Sequence, residues 1–285
     1  MKLGIVFEGG ASRSLFSCGV MDALLEENIK ADYVIGVSAG IAYGTSYVSG
    51  QKGRNLELSV KYMHDKRYMG YRHLLNPKKR SYYNMDFAFR EIPETLVPYD
   101  FDAFEKSPVT SVAALTNMAT GKPEYFELPK SDRERHLQLL WASCALPLLF
   151  QPVHIDGKVY MDGGISDPIP FRRAFEDGCD KVIVVLTRER SYNKNHEATS
   201  SLARLAYGKF PEFARALETR SERYNLEREE IFRMADANQL AVIMPEDTRG
   251  FKRTERNPRK LAEIHNEGYG ITKAMIQEIK SYINE

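Results

Sequence analysis

Two short apolar runs, each ending in a glycine turn and each followed by a helical pattern, constrain this chain more than any other feature. Residues 2–7 (KLGIVF) run into Glu8-Gly9-Gly10, and residues 14–27 then place Leu15, Cys18, Val20, Met21, Leu24 and Leu25 at helical spacing. A second run, Tyr33-Val34-Ile35, reaches Gly36-Val37-Ser38-Ala39-Gly40 and is followed by a helical stretch over roughly 39–50. Continuous apolar strands alternating with helices are the pattern of a parallel sheet covered on both faces. The expected architecture is therefore a three-layer α/β/α sandwich with a mostly parallel central sheet.

The pattern weakens and then returns. Residues 51–107 hold Gly53, Pro77, Pro93 and Pro98 with many tyrosines, and are expected to form a cap-like insertion of short helices. Core elements resume with a strand from Val109 to Leu115, a strand near Tyr125-Phe126 and a helix near 132–143. His154 to Tyr160 predicts a hairpin, because its Asp156-Gly157 pair suits the tight turn between twisted strands. Asp162-Gly163-Gly164 follows at the strand end. Asp167-Pro168 offers an N-cap and first-turn proline for a helix stopping at Gly178, and Lys181 to Leu186 (KVIVVL) predicts a buried strand. Beyond about residue 190 the chain is charged and helical, with one apolar run at Leu240 to Met244 and a final helix from about 258 to 283. One domain of 285 residues, with the insertion and a helical C-terminal extension over about 190–285, accommodates all of this.

Charge and cysteine usage remove whole classes of function. With 40 Lys+Arg against 39 Asp+Glu, the net charge of +1 gives no global attraction for nucleic acid. Three scattered cysteines, Cys18, Cys144 and Cys179, provide neither a disulfide framework nor a zinc spacing. The N-terminal apolar run meets Glu8 too soon for a signal peptide, and no run reaches the roughly 18 apolar residues of a membrane span. A cytoplasmic protein is expected.

The sharpest chemical signal is Gly36-Val37-Ser38-Ala39-Gly40, a G-x-S-x-G pentapeptide between strand and helix. Such a turn lifts a serine hydroxyl off the sheet edge, and the helix that follows aims its positive dipole end at the same spot. The earlier loop, Glu8-Gly9-Gly10-Ala11-Ser12-Arg13, lets several backbone N–H groups converge on an anion, either an oxyanion at Ser38 or a phosphate. It lacks both the G-x-G-x-x-G and the GK[ST] nucleotide patterns. A serine needs a base. None of the six histidines occupies a strand-end glycine turn, whereas Asp162 does. A lone carboxylate can act as that base once burial raises its basicity.

EGGASR after the first strand, the GVSAG turn about 25 residues later, and the DGG turn after ASCALPLLFQPVHIDGKVYM together resemble the patatin-like phospholipases over roughly residues 1–190. These are acyl hydrolases with a Ser–Asp dyad. The resemblance implies Ser38 as nucleophile, Asp162 as general base, Gly9, Gly10 and Ala11 as oxyanion-hole donors, and Arg13 as the basic residue closing that loop. It makes Gly36, Gly40, Gly163 and Gly164 the turn glycines, with an acyl lipid or other acyl ester as substrate and no metal or cofactor. The family's loop usually reads as three glycines, any residue, Arg or Lys, then glycine. Ala11 and Ser14 stand at two of those glycine positions, and alanine resists a positive φ. The loop is where this chain is expected to depart from its relatives.

Other readings predict different residues. An α/β-hydrolase triad would need His265 or His196, and a catalytically weak lipid-binding module would keep the fold without the rate. The basic, tyrosine-rich stretch 61–83, with Lys61, Lys66, Arg67, Arg72, Lys78, Lys79 and Arg80, is a candidate contact for phosphate head groups or an anionic membrane surface. Such runs are more often solvated faces. No oligomeric state is legible.

Overall fold

The computed structural model describes residues 1–75, 81–195 and 205–285. β1 (Leu3–Phe7) leads through the glycine loop to α1 (Leu15–Glu26), and β2 (Tyr33–Gly36) to α2 (Ala39–Val48). The insertion contains α3 (Arg54–Tyr62), a π-helix over Phe87–Leu96 with Pro93 inside it, and α4 (Phe101–Lys106). Then come β3 (Thr110–Asn117), β4 (Pro123–Glu127), α5 (Arg133–Ser143), the hairpin β5 (Val153–Ile155) and β6 (Lys158–Asp162), α6 (Phe171–Glu176) and β7 (Lys181–Val185). The chain closes with α7 (Pro211–Glu218), α8 (Arg220–Asp236), β8 (Ala241–Ile243), α9 (Pro258–Ala274) and α10 (Ile276–Asn284).

The sheet order is β5-β6-β3-β2-β1-β7-β8, with β4 paired to β3 off this path. From β3 across to β8 the strands are parallel, and β4 and β6 run antiparallel to β3. Side chains alternate between two apolar layers, as strand geometry requires. Ile5, Phe7, Ile183 and Val185 join the core beneath α1, α2 and α9, while Val6, Val182 and Val184 join the core beneath α6 and α8. This is the expected three-layer sandwich. β8 belongs to the C-terminal region yet extends the central sheet beside β7.

Two boundaries differ from the sequence expectation. Asp167 does not cap a helix; its carboxylate accepts the Tyr125 hydroxyl, and α6 starts only at Phe171. Pro168 and Pro170 each push the preceding residue away from helical backbone, which delays the start. The final helix is broken at Met275 into α9 and α10. α9 lies hard against α1: a Cβ at Gly19 would stand 1.9 Å from the His265 carbonyl oxygen, and one at Gly268 would stand 2.1 Å from that of Phe16. Among the described residues, no helix is long and apolar enough to cross a membrane.

Candidate active site

Register places the two key residues. On β3, Ala113 pairs with Gly36 at the end of β2, and Leu115 pairs with Asp162 at the end of β6. Ser38, two residues past Gly36, therefore lies level with Asp162 across β3, about two strand spacings or 10 Å of backbone apart. Side chains from both edges can meet over that strand.

Ser38 has φ 54° and ψ −129°, a strained conformation for a residue with a side chain, costing about 1–3 kcal/mol. The surroundings enforce it. A Cβ at Gly36 would stand 2.8 Å from the Ile41 nitrogen, and one at Gly40 would stand 2.4 Å from the Phe7 carbonyl oxygen, so the turn closes only with glycine at both places. The Ser38 N–H donates to Ser143 Oγ at 2.9 Å, and that hydroxyl donates to the Ala114 carbonyl at 3.0 Å.

Asp162 is fully enclosed, 2 % exposed. Its Oδ1 accepts the Gly164 N–H at 2.8 Å, and its main-chain carbonyl accepts the Thr116 hydroxyl at 2.8 Å. Gly163 follows because its Cα sits directly on β3, where a Cβ would be 2.2 Å from the Ala114 oxygen. Oδ2 meets no donor at full hydrogen-bond geometry among the described residues. Burial raises the carboxyl above its ordinary 3.8; Arg220, the nearby Ser38 hydroxyl, the Gly164 N–H and Arg253 oppose that rise. The result is a carboxylate more basic than one in water, facing a serine. Cys144 neighbours both, and burial pushes its thiol up, so it stays S–H.

The glycine loop borders Ser38 directly: a Cβ at Gly9 would meet Ser38 Cβ at 3.0 Å. Among the described residues, the N–H groups of Gly9, Gly10 and Ala11 donate to no protein acceptor, whereas those of Glu8, Ser12 and Arg13 each do. Ala11 takes φ 50°, the left-handed conformation that a glycine would adopt freely. The substitution is accommodated with strain and without loss of the turn. Ser14, at the other departure, is buried at the start of α1.

Ser38 lines two cavities of opposite character. One, of about 140 Å³, is walled by apolar side chains from α2, the insertion and α5, including Ala42, Leu58, Met63, Phe89, Ile92 and Leu140. The other, of about 210 Å³, is polar and also contains Asp162, Gly9 and Gly10. His136 borders the apolar cavity; burial lowers its imidazole to about 4, which keeps it neutral.

Of the two histidines proposed for a triad, the described one lies away from Ser38. His265 Nε2 bonds Asp22 Oδ2 at 2.9 Å, buried between α1 and α9. His196 lies outside the described residues. In the basic stretch, Lys61 pairs with Glu57, and Arg67 with Asp65 and Glu91, while Lys78, Lys79 and Arg80 lie outside the described residues. Among the described residues, no group of three or more His, Cys, Asp or Glu side chains is placed to hold a metal.

Sequence reasoning missed the C-terminal contribution. Ser12 donates its N–H to the Arg253 carbonyl at 3.1 Å and its hydroxyl to that of Glu255 at 3.0 Å. Arg220 Nε donates to the Gly164 carbonyl at 2.6 Å, Arg223 to that of Ile165 at 2.7 Å, and the Tyr224 hydroxyl to Glu8 at 2.7 Å. No motif marks these residues, since each acts through a contact more than 50 positions away in the chain.

The family model described as patatin-like phospholipase matches residues 5–175, and that of a domain of unknown function (DUF6363) matches 210–284. The uncharacterized protein YjjU of Escherichia coli is 25% identical over 191 residues, covering 65% of this chain and 52% of that protein. An uncharacterized NTE family protein of Mycobacterium bovis is 31% identical over 83 residues, covering 29% of this chain and 22% of the relative. The chain thus spans about half the length of the first of these relatives and less of the second. The crystal structure of VipD from Legionella pneumophila superposes with a TM-score of 0.48 at 13% identity, covering 97% of this chain and 66% of that one.

Proposed function

Because this chain belongs to the patatin-like phospholipase family, we propose that it hydrolyses acyl esters of lipids through a Ser38–Asp162 dyad. Asp162 takes the Ser38 proton as Oγ attacks the ester carbonyl. The N–H groups of Gly9, Gly10 and Ala11 receive the negative charge that develops on the carbonyl oxygen. Collapse of the tetrahedral intermediate leaves an acyl-serine, with the Asp162 proton passing to the departing alcohol. Water, deprotonated by Asp162, then releases the fatty acid. The apolar cavity would hold the acyl chain.

The observations that support this reading are a strained serine and a buried carboxylate raised above its ordinary range lining one cavity with Gly9 and Gly10, and, among the described residues, no protein acceptor for the N–H groups of Gly9, Gly10 and Ala11. Turnover of a short-chain aryl ester by purified protein tests it. Ser38→Ala is expected to abolish turnover and Asp162→Asn to reduce it about 100-fold or more. Full activity in either variant rejects the dyad. His265→Gln is expected to stay within a fewfold of wild type, since its partner is Asp22.

A further inference from the structure

The insertion brings two phenols to the wall of the apolar cavity beside Ser38. Tyr68 and Tyr83 line it together with Ser38 and Cys144. Their rings meet edge to face with centroids 5.7 Å apart, and each is also packed on a phenylalanine, Tyr68 on Phe87 and Tyr83 stacked on Phe150. Other polar side chains on this wall are already bonded within the protein. The Tyr43 hydroxyl shares a hydrogen bond with Ser59 Oγ at 3.3 Å, and the Tyr99 hydroxyl donates to the Thr45 carbonyl at 3.0 Å. The Thr45 hydroxyl donates to the Ala42 carbonyl at 2.9 Å, and Arg54 to the carbonyls of Val97 at 3.0 Å and Pro98 at 3.2 Å. Tyr68 and Tyr83 differ. Among the described residues, neither hydroxyl has a protein hydrogen-bond partner. Burial raises both phenols, Tyr83 to about 12, so each keeps its proton at neutral pH. A hydroxyl held by ring packing against an apolar space is costly to leave without a partner.

The position of the pair gives it a role. Cys144 neighbours the Ser38 hydroxyl and both phenols. An acyl chain that runs from a carbonyl at Ser38 into this cavity therefore passes the two hydroxyls. A plain hydrocarbon chain strips them of water and offers nothing in return. A chain with an oxygen at the passing carbon accepts from one phenol and donates to the other. A site built to bond a substrate hydroxyl rejects the analogue that lacks it far more strongly than an apolar pocket rejects a missing methylene. We propose that Tyr68 and Tyr83 are a recognition pair for an oxygenated acyl chain, so that hydroxyacyl esters are better substrates than plain acyl esters of the same length. The inference rests on the hydrolase reading above and gives the insertion a part in substrate choice. Because packing already fixes both rings, little freedom is lost when the hydroxyls engage.

Two readouts test it, using the full chain. The first is kcat/KM for a set of octanoate aryl esters, one plain and the others carrying a single hydroxyl at successive carbons of the chain. Wild type is expected to favour at least one hydroxylated ester over the plain one by about tenfold or more. The double variant Tyr68→Phe/Tyr83→Phe is expected to lose that preference. Tyr71→Phe, whose exposed ring packs on Tyr82 outside the cavity, is expected to keep it. Phenylalanine retains each ring and removes only an unpartnered hydroxyl, so the double variant should melt no lower than wild type. A clear fall in melting temperature would assign the hydroxyls to the fold and overturn the proposal. The second readout, which needs no turnover, is thermal protection by hydroxyoctanoate beyond that by octanoate, expected in wild type and lost in the double variant. Wild type without preference for any hydroxylated ester overturns the assignment, as does a preference that survives in the double variant. If no ester is turned over and Ser38 is unreactive, the hydrolase reading fails. The recognition pair is then sustained by hydroxyoctanoate protection that depends on the two tyrosines, or refuted by its absence.

Discussion

The backbone N–H of Ser38 is held by the hydroxyl of Ser143, 2.9 Å away at the last turn of α5. That hydroxyl is itself anchored on β3 through the Ala114 carbonyl, so the strained turn is pinned to the middle of the sheet. Ser143→Ala leaves a half-buried donor without its acceptor. The expected cost is about 1–3 kcal/mol in denaturant unfolding, with a fall in kcat as the turn relaxes. Unchanged stability and unchanged kcat together would show that the elbow holds its shape unaided.

Asp162 ties activity to pH and to stability in opposite senses. Its carboxyl titrates above the ordinary 3.8 because it is buried. Only the deprotonated form can serve as base, so kcat/KM should rise with pH through an apparent pKa above that value. Arg220 favours the charged form; Arg220→Gln should therefore move the acid limb to higher pH. The folded state binds this proton more tightly than the unfolded chain, so the charged carboxylate weakens the fold once pH exceeds the folded pKa. Asp162→Asn removes that charge and is expected to raise the melting temperature at neutral pH while activity falls. The stability gain should shrink as pH drops through the folded pKa toward 3.8. An acid limb unmoved by Arg220→Gln would contradict this electrostatic account.

Ala11 occupies positive φ where glycine would rest without strain. Ala11→Gly relieves about 1–2 kcal/mol of backbone strain, offset in part by about 0.4–1 kcal/mol of added unfolded-state freedom. A small net gain in stability is expected, with aryl-ester turnover equal to or above wild type because the N–H is kept. A clear loss of activity would mean that the methyl group itself positions the loop.

The apolar cavity predicts a chain-length ladder. Each buried methylene contributes about 0.8 kcal/mol, or roughly fourfold in kcat/KM, until the space is filled. Ala42→Leu, on the wall contributed by α2, should move the end of the ladder to a shorter acyl chain. A flat response to chain length in wild type would place the acyl group elsewhere.

Much of the architecture is legible in the sequence because parallel strands buried on both faces read as continuous apolar runs, and residues 2–7, 33–36 and 181–185 do. Ser38, Asp162 and the loop at Gly9 to Ala11 were legible for a related reason. Strand-end turns need glycine where backbone crosses backbone, and the glycines at 36, 40 and 163 mark those crossings. Helix boundaries were less so. The Asp167-Pro168 pair looked like a cap, but Asp167 bonds Tyr125 across the structure, a contact no local pattern announces. The arginines of the polar cavity were illegible for the same reason. Arg220 and Arg253 share a cavity with Arg13 because α8 and the segment before α9 fold back over the first two loops, and Arg188 joins them from the end of β7 beside β1. The conspicuous basic stretch at 61–83 drew attention instead, although Lys61 and Arg67 are ion-paired.

Reaction with a fluorophosphonate probe tests the central claim most directly, because it reports an activated serine without a choice of substrate. Wild type, Ser38→Ala and Asp162→Asn would be compared after confirming that each is folded, with the modified peptide located by mass spectrometry. The account predicts covalent capture at Ser38, none in Ser38→Ala, and labelling slowed about 100-fold or more in Asp162→Asn. Capture at another residue, or undiminished labelling in Asp162→Asn, would contradict it.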